Sequence, residues 1–570
     1  MKRIQTFNRS GWLALMLALA PATADAARTS TLTAFTDIYR AESAGENLSR
    51  GWLLSSVDGD GLPELGIGSP LNDAAGADSG RFYLFQNVDV ETGTVNVSSA
   101  SLVLTGEASA QLGAAAASGD LNGDGKADLV IAAPGWNGGA GRVYLFFSRT
   151  SWAGVQLSAA DLILSGDQAG QGLGAGGVLI PGDLNGDGYA DLVISSPGRD
   201  ASSTARDRGA VYVLLGNSLG WSARTLATAD ILLLGDGNGD NFGVSLALAG
   251  DVNGDGKPDL VVGAPRNDDS ATDAGQAYLY FGGALPLGEN SAGPSASVRV
   301  RGDISGDQLG SGVSGGGDFN ADGLPDVFLG APGEDSNGLD AGRVYAINGR
   351  KRDWPLGPVL ASAGSTLSFL GAATGDQLGT ESSFVQADLS NDGIAELILA
   401  ARGAASAAGT AYIFLGRASG LGVANNVAAA DVVLNGSTAG DRAAFFAGSA
   451  LDVDGDKVPE LALGIPGFDG QGTDSGEIRL ASALNRWFDL DSDGFTPEEG
   501  DCDDREPSAN PAQTTDDRDD IDNDCDGQVD EDGSSGCGGR SMEPLVGHRG
   551  LAGVGLLSLL ALGQLRRRRR

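Results

Sequence analysis

Four nine-residue segments carry side-chain oxygens at positions 1, 3, 5 and 9 and glycine at position 6. They are Asp120-Asn122-Asp124-Asp128, Asp183-Asn185-Asp187-Asp191, Asp251-Asn253-Asp255-Asp259 and Asp318-Asn320-Asp322-Asp326. Three looser copies are Ser56-Asp58-Asp60-Glu64, Asp388-Ser390-Asp392-Glu396 and Asp452-Asp454-Asp456-Glu460. Calcium takes about six to eight oxygens from carboxylates, amides, backbone carbonyls and water. Oxygens at positions 1, 3 and 5 of a tight loop converge on one point, and a glycine at position 6 lets the chain turn sharply. The spacing therefore predicts Ca2+ loops; a hairpin turn built on Asn-Gly or Asp-Gly would not need four spaced oxygens. Ser56 in place of the first Asp, Ser390 in the sixth copy and Lys457 in place of the loop glycine of the seventh leave the occupancy of those three loops open.

The elements that position these oxygens follow from what flanks them. An EF-hand would place a Glu at position 12 on a helix. Here the fourth carboxylate comes at position 9 and is followed by Leu-Val-Ile, Leu-Val-Val or Val-Phe-Leu, which are β-formers, so each loop joins two strands. Loop starts recur at intervals of 63 to 70 residues. Around the fourth loop, Asn241-Phe242-Gly243 precedes, Asp259 to Pro265 follows, an acidic loop spans 266–275, and Gln276 to Phe281 comes next; Asp230-Ile-Leu-Leu-Leu234 separates this unit from the one before. Seven such four-stranded units, apolar on both faces, predict an all-β seven-bladed propeller, with an open solenoid as the alternative. The seventh unit ends at Glu477 to Ser482 without an outer strand, so Asp37-Ile-Tyr-Arg-Ala41 is expected to complete it and remove two open sheet edges.

At Phe242-Gly243, Gly263-Ala264-Pro265, Gly330-Ala331-Pro332 and the near copies Leu112-Gly113 and Ala132-Ala133-Pro134, the chain resembles the FG-GAP repeats of the integrin α-subunit head. The resemblance spans about residues 37–486. It implies calcium held by the nine-residue loops on one face and a ligand face built from the loops after the GAP segments, here 72–80, 197–209, 266–275, 333–342 and 468–476. The tripeptide Arg301-Gly302-Asp303 occupies the repeat position that reads Ser165-Gly166-Asp167 two units earlier, so it carries no adhesive meaning of its own.

Composition narrows the chemistry. The single histidine, His548, lies near the C-terminus, which leaves the body of the chain without a His base, triad or zinc site. With 75 Asp+Glu against 37 Lys+Arg and a net charge of -38, the chain repels a phosphate backbone, which excludes nucleic acid as a partner. No catalytic residue is assigned, because the carboxylates recur seven times at ligand spacing whereas a glycosidase pair is expected once.

The ends read as addresses. Residues 1–26 form a secretory signal peptide, with Lys2, Arg3 and Arg9, an apolar stretch and the Ala24-Asp25-Ala26 cleavage site. The propeller occupies 27–486. Residues 487–534 are dense in Asp and Glu and hold two further loop-like patterns, Asp489-Asp491-Asp493 and Asp522-Asp524-Asp526-Asp530, with Cys502 and Cys525 placed to form a disulfide in an exported protein. This segment looks like Asp-rich metal-binding motifs of bacterial surface proteins and like thrombospondin type 3 repeats. Almost without apolar residues, it needs metal and disulfide to order it. In 535–570, Cys537-Gly538-Gly539, the apolar run from Leu551 to Leu565 and Arg566 to Arg570 look like the tripartite sorting signals of myxobacterial surface proteins; a plain tail anchor in the inner membrane is the alternative.

The sequence thus points to an exported, monomeric, calcium-binding propeller at the outer surface that recognises an extracellular protein or glycan and meets the membrane only through its tail. An extracellular enzyme acting on polysaccharide and a structural calcium-binding surface protein are the alternatives.

Overall fold

The computed structural model describes residues 28–31, 37–88, 93–200, 206–221, 224–381, 384–417, 426–443, 450–455, 459–481, 495–496, 500–502, 508–513, 521–523 and 525. It is a seven-bladed propeller. Blades 1 to 6 each contain four antiparallel strands, beginning at Arg50–Leu54, Ala115–Gly119, Val178–Gly182, Ser245–Gly250, Val313–Ser314 and Phe384–Ala387. The second strand of every blade is buried along its whole length. Asp128–Ala133, Asp191–Ser196, Asp259–Ala264 and Glu396–Ala401 are buried at every position, as a strand with a neighbouring blade on each face must be.

Among the described residues there is no single core. Seven apolar clusters form instead, each shared by two adjacent blades. Leu260, Val262 and Tyr278 of blade 4 pack with Val193, Val211 and Val213 of blade 3, for example. The ring closes through the cluster of Tyr39, Ile478 and Leu480 with Leu65, Ile67 and Tyr83, which joins blade 7 to blade 1.

Closure uses the N-terminus. Asp37–Arg40 runs antiparallel to Glu477–Ala481, with Tyr39 opposite Ile478, and supplies the outer strand of blade 7. The residues where the innermost strand of that blade is expected, 444–449, lie outside the described residues. The outer edges of four blades are covered by a parallel segment: Thr94–Asn96 on blade 7, Gly288–Ser291 on blade 3, Val359–Leu360 on blade 4 and Arg28–Thr31 on blade 6. Each covered edge is one fewer template for pairing with another chain.

The paired glycines of the repeat have a steric cause. A Cβ on Gly263, the last residue but one of the second strand of blade 4, would lie 1.9 Å from the carbonyl oxygen of Gly310 in blade 5, and Gly310 itself has φ +87°. Two backbones from adjacent blades touch there, so neither position admits a side chain.

Candidate cation-binding loops and the opposite face

In blades 1 to 6 the nine-residue loop connects the innermost strand to the second strand; its ninth residue is the first residue of the second strand in blades 1, 2, 3, 4 and 6, while Asp326 and Glu460 directly precede Val327–Ala331 and Leu461–Ile465. The position-1 carboxylate organises the turn. Asp120 Oδ1 accepts from the N–H of Gly123 and Asp124 at 2.8 and 3.1 Å, and Oδ2 accepts from Gly125 at 2.8 Å. Asp183, Asp251, Asp318 and Asp388 take the N–H of Gly188, Gly256, Gly323 and Gly393 in the same way. Ser56 does this with its hydroxyl, which accepts from Gly61 at 3.0 Å. Asn122 Oδ1 and Asp124 Oδ1 then accept from residues two further on, Asp124 and Lys126. These bonds fold positions 1, 3 and 5 into one tight turn.

The ninth carboxylate is the buried one. Asp128, Asp191, Asp259, Glu396 and Glu460 are 0% exposed, and Glu64 and Asp326 are 1% exposed. Asp128 accepts from the N–H of Leu121, Asn122 and Ser148, and Asp191 from Leu184 and Gly216. Burial pushes these groups up, to about 6 for Asp128 and Asp191, about 7 for Asp259 and Asp326, and about 8 for Glu64 and Glu396. The backbone N–H bonds oppose the shift, and neighbouring loop carboxylates such as Asp124 beside Asp128 add to it. Three oxygen-bearing side chains around a buried carboxylate, with no imidazole or thiol among them, form a donor set suited to a hard divalent cation.

The first and seventh loops, left open from sequence, gather their acids closely. One carboxylate oxygen from each of Asp58, Asp60 and Glu64 lies within 4.8 Å of the others, and the same holds for Asp452, Asp454 and Glu460. In the sixth loop Ser390 donates to Glu396 at 3.3 Å. Asp456 and Lys457 lie outside the described residues.

Position 2 of the loop went unremarked in the sequence reading. Val57, Leu121, Leu184, Val252, Phe319, Leu389 and Val453 are all 4% exposed or less, and each donates its N–H to the ninth carboxylate of its loop. In five loops the carbonyl of the same residue accepts a bond from the next blade. The donors are the N–H of Arg149 to Val57, Gly283 to Leu184, Arg350 to Val252 and Arg417 to Phe319, and the indole Nε1 of Trp221 to Leu121 at 2.6 Å. Each of these loops is thereby clipped to its neighbouring blade. The signal available in sequence was an apolar residue at position 2 in all seven copies.

At the other end of the second strands lie the loops assigned to a ligand face. Four of the five share one device: Asp73, Asp268, Asp335 and Asp469 each accept, at 2.8 Å, the N–H of the Asp five residues on, and those partners, Asp78, Asp273, Asp340 and Asp474, have φ between +48° and +51°. Asp303 of the Arg-Gly-Asp tripeptide is held by the Ser362 hydroxyl at 2.6 Å and the Ser362 N–H at 3.0 Å.

In the acidic segment the structure joins Cys502 to Cys525, with Cα atoms 5.5 Å apart. Around them Thr496, Asp501, Asn510 and Asn523 are buried, and Asn510 donates its N–H to the carbonyl of Asn523. Asp522 is described; Asp489, Asp491, Asp493, Asp524, Asp526 and Asp530 lie outside the described residues, as do the signal peptide and the tail with Cys537. Among the described residues no helix is long and apolar enough to cross a membrane.

The FG-GAP repeat family model matches residues 112–146, 175–214, 242–280 and 309–347, which are blades 2 to 5 and include the four complete loops. Those blades are FG-GAP repeats. Integrin alpha-PS5 of Drosophila melanogaster is 33% identical over 150 residues, covering 26% of this chain and 14% of that protein. Integrin alpha pat-2 of Caenorhabditis briggsae is 31% identical over 231 residues, 39% of this chain and 18% of that one. Phosphatidylinositol-glycan-specific phospholipase D of Homo sapiens is 33% identical over 211 residues, 34% of this chain and 23% of that one. The chain spans less than a quarter of the length of each of these relatives.

Proposed function

We propose that this FG-GAP propeller is a calcium-binding recognition module that works outside the cell, at the cell surface, on a protein or glycan ligand. The observation that carries the reading is the division of labour between the two ends of each blade. One end repeats an oxygen-lined turn around a buried carboxylate; the other presents loops that differ in sequence, those of blades 1, 4, 5 and 7 alike in length and in their Asp-held turn and those of blades 2, 3 and 6 shorter or longer. Asp120, Asn122, Asp124 and Asp128, with their counterparts in the other blades, would hold the cation, which supplies the positive charge that a buried ninth carboxylate otherwise lacks. The likeness to integrin α chains supports recognition as the role of the variable loops. The reading includes no catalytic step, since the acidic groups recur at one spacing in every blade.

The test is chelation. A ligand that binds only the native state stabilises it by about 2.7 kcal/mol per site at a hundredfold excess over Kd. Excess EDTA should therefore lower the melting temperature substantially and added Ca2+ should restore it. An unchanged melting curve would sink the cation reading. A glycan and protein array, run with and without Ca2+, then identifies the ligand.

A further inference from the structure

At the end of the blades opposite the nine-residue loops, three repeat positions each carry an arginine in a single blade. After the second strand, six blades place proline: Pro70, Pro134, Pro197, Pro265, Pro332 and Pro466; blade 6 places Arg402. Ahead of the innermost strand, the left-handed position is Asn47, Gln111, Gly172, Asn241, Gln308 and Gln377 in blades 1 to 6, with φ from +53° to +61°; blade 7 has Arg442 there at +51°. Three residues beyond that position stand Ala114, Ala175, Val244, Ser311 and Thr380 in blades 2 to 6; blade 1 has Arg50. Blades 6, 7 and 1 are consecutive in the closed ring, and the three side chains line one cavity of about 590 Å3.

Repeat positions that break pattern together, in one place, mark a function rather than drift. The chain as a whole carries a net charge of -38, so three guanidinium groups around one hollow oppose its general field. Arg402 is held in place by Thr380, whose Oγ1 accepts from Nε and Nη2 at 3.0 and 2.8 Å, and by the carbonyl of Glu381. The Glu381 carboxylate interacts favourably with both Arg50 and Arg402, and Asp474 also lines the cavity, so acids offset part of the positive charge. Burial, opposed by Glu381 and reinforced by Arg50 and Arg442, lowers Arg402 to about 10, as expected of cations gathered in a recess. Asn47, Ser49 and Gln111 add neutral polar groups to the lining.

We propose that the cavity bounded by Arg50, Arg402 and Arg442 is a binding site for a small organic molecule carrying two oxyanion groups, carboxylate or phosphate. Guanidinium groups grip such oxygens through paired, charge-assisted hydrogen bonds, and the volume lies in the range of small-molecule sites. The site does not depend on the cation loops, because Glu396–Ala401 separates the loop acid Glu396 at its start from Arg402 just past its end.

The test uses the repeat's own residues as substitutions, which the fold already accepts: Arg442→Gln, as at Gln377, and Arg50→Ala, as at Ala114. Arg402→Gln removes the third charge. Succinate and glucose 6-phosphate are titrated separately into the full chain by calorimetry, in calcium and at constant ionic strength, with glucose as the neutral control. Binding of one or both anions, weakened by roughly tenfold or more in Arg442→Gln and Arg402→Gln at unchanged melting temperature, is the expected result. The arm that binds tells carboxylate from phosphate. The proposal is overturned if neither anion binds, if glucose binds equally well, or if Arg442→Gln, whose side chain is exposed and whose loss spares the fold, binds as the parent does.

Discussion

Tyr39 lies directly across from Ile478 on adjacent antiparallel strands, and its ring meets Phe85 of blade 1 edge-on at 4.9 Å. One residue near the start of the chain therefore holds both the last blade and the first. Deleting residues 27–42 would leave raw edges on blades 6 and 7 and remove an apolar layer between blades 7 and 1. Concentration-dependent aggregation is expected, although no cation loop is touched. The milder Tyr39→Ala should cost about 3 kcal/mol through the cavity it leaves. Light scattering and denaturant unfolding read the two effects; a soluble, monomeric deletion variant with parental melting would disprove the strand exchange.

The first and seventh loops are expected to bind cations despite their irregular sequences, because Asp58, Asp60 and Glu64 converge, as do Asp452, Asp454 and Glu460. Replacing Glu64 and Glu460 together with Ala should lower the bound calcium by about two equivalents per chain, counted by elemental analysis after gel filtration. An unchanged count would mean that these acids gather without a cation.

How far the fold could be read from residues depended on the reach of each interaction. The acid spacing from Asp120 to Asp128 is local, so loop, strand order and blade number were all legible, as was closure by Asp37–Arg40, expected because the sequence offers no outer strand after Ser482. The clip from Trp221 to Leu121 was not legible, since it joins positions a blade and a half apart and only the packed ring brings them together. The arginines were hidden for the same reason. Arg50 and Arg402 belong to opposite ends of the chain, and each is an unremarkable surface-type residue until blade 7 is seated between blades 6 and 1. At Ser56, which left the occupancy of the first loop open, the hydroxyl takes the Gly61 N–H as Asp120 takes that of Gly125.

The address at the C-terminus is testable apart from the fold. If Cys537, the spacer, the apolar run and Arg566 to Arg570 form a sorting signal, surface-released protein should lack the arginine cluster, and Cys537→Ser should hold the precursor in the inner membrane with its propeller folded. The apolar run of 15 residues is shorter than the roughly 20 needed for a straight span, which favours processing over permanent anchoring. Mass spectrometry of the released chain decides: a C-terminus still ending at Arg570 would leave the tail as an anchor.

Trp221 offers the sharpest probe of coupling between loops and blades. Its indole N–H reaches the Leu121 carbonyl at 2.6 Å, and both residues are buried, at 3% exposure each. Leu121 in turn donates its own N–H to Asp128, so the chain of contacts runs from blade 3 through the second position of the loop to its buried acid. Trp221→Phe keeps most of the apolar volume and removes the donor. The stranded carbonyl should cost about 1 to 3 kcal/mol. If the clip also fixes the loop for a cation, calcium affinity at the second loop should fall with it, while Asp187 and its neighbours in the third loop bind as before. Titration of Trp221→Phe against a control variant with the second loop disabled, Asp124→Ala, separates the outcomes. Loss of stability without any change in cation affinity would show that the clip serves blade packing alone.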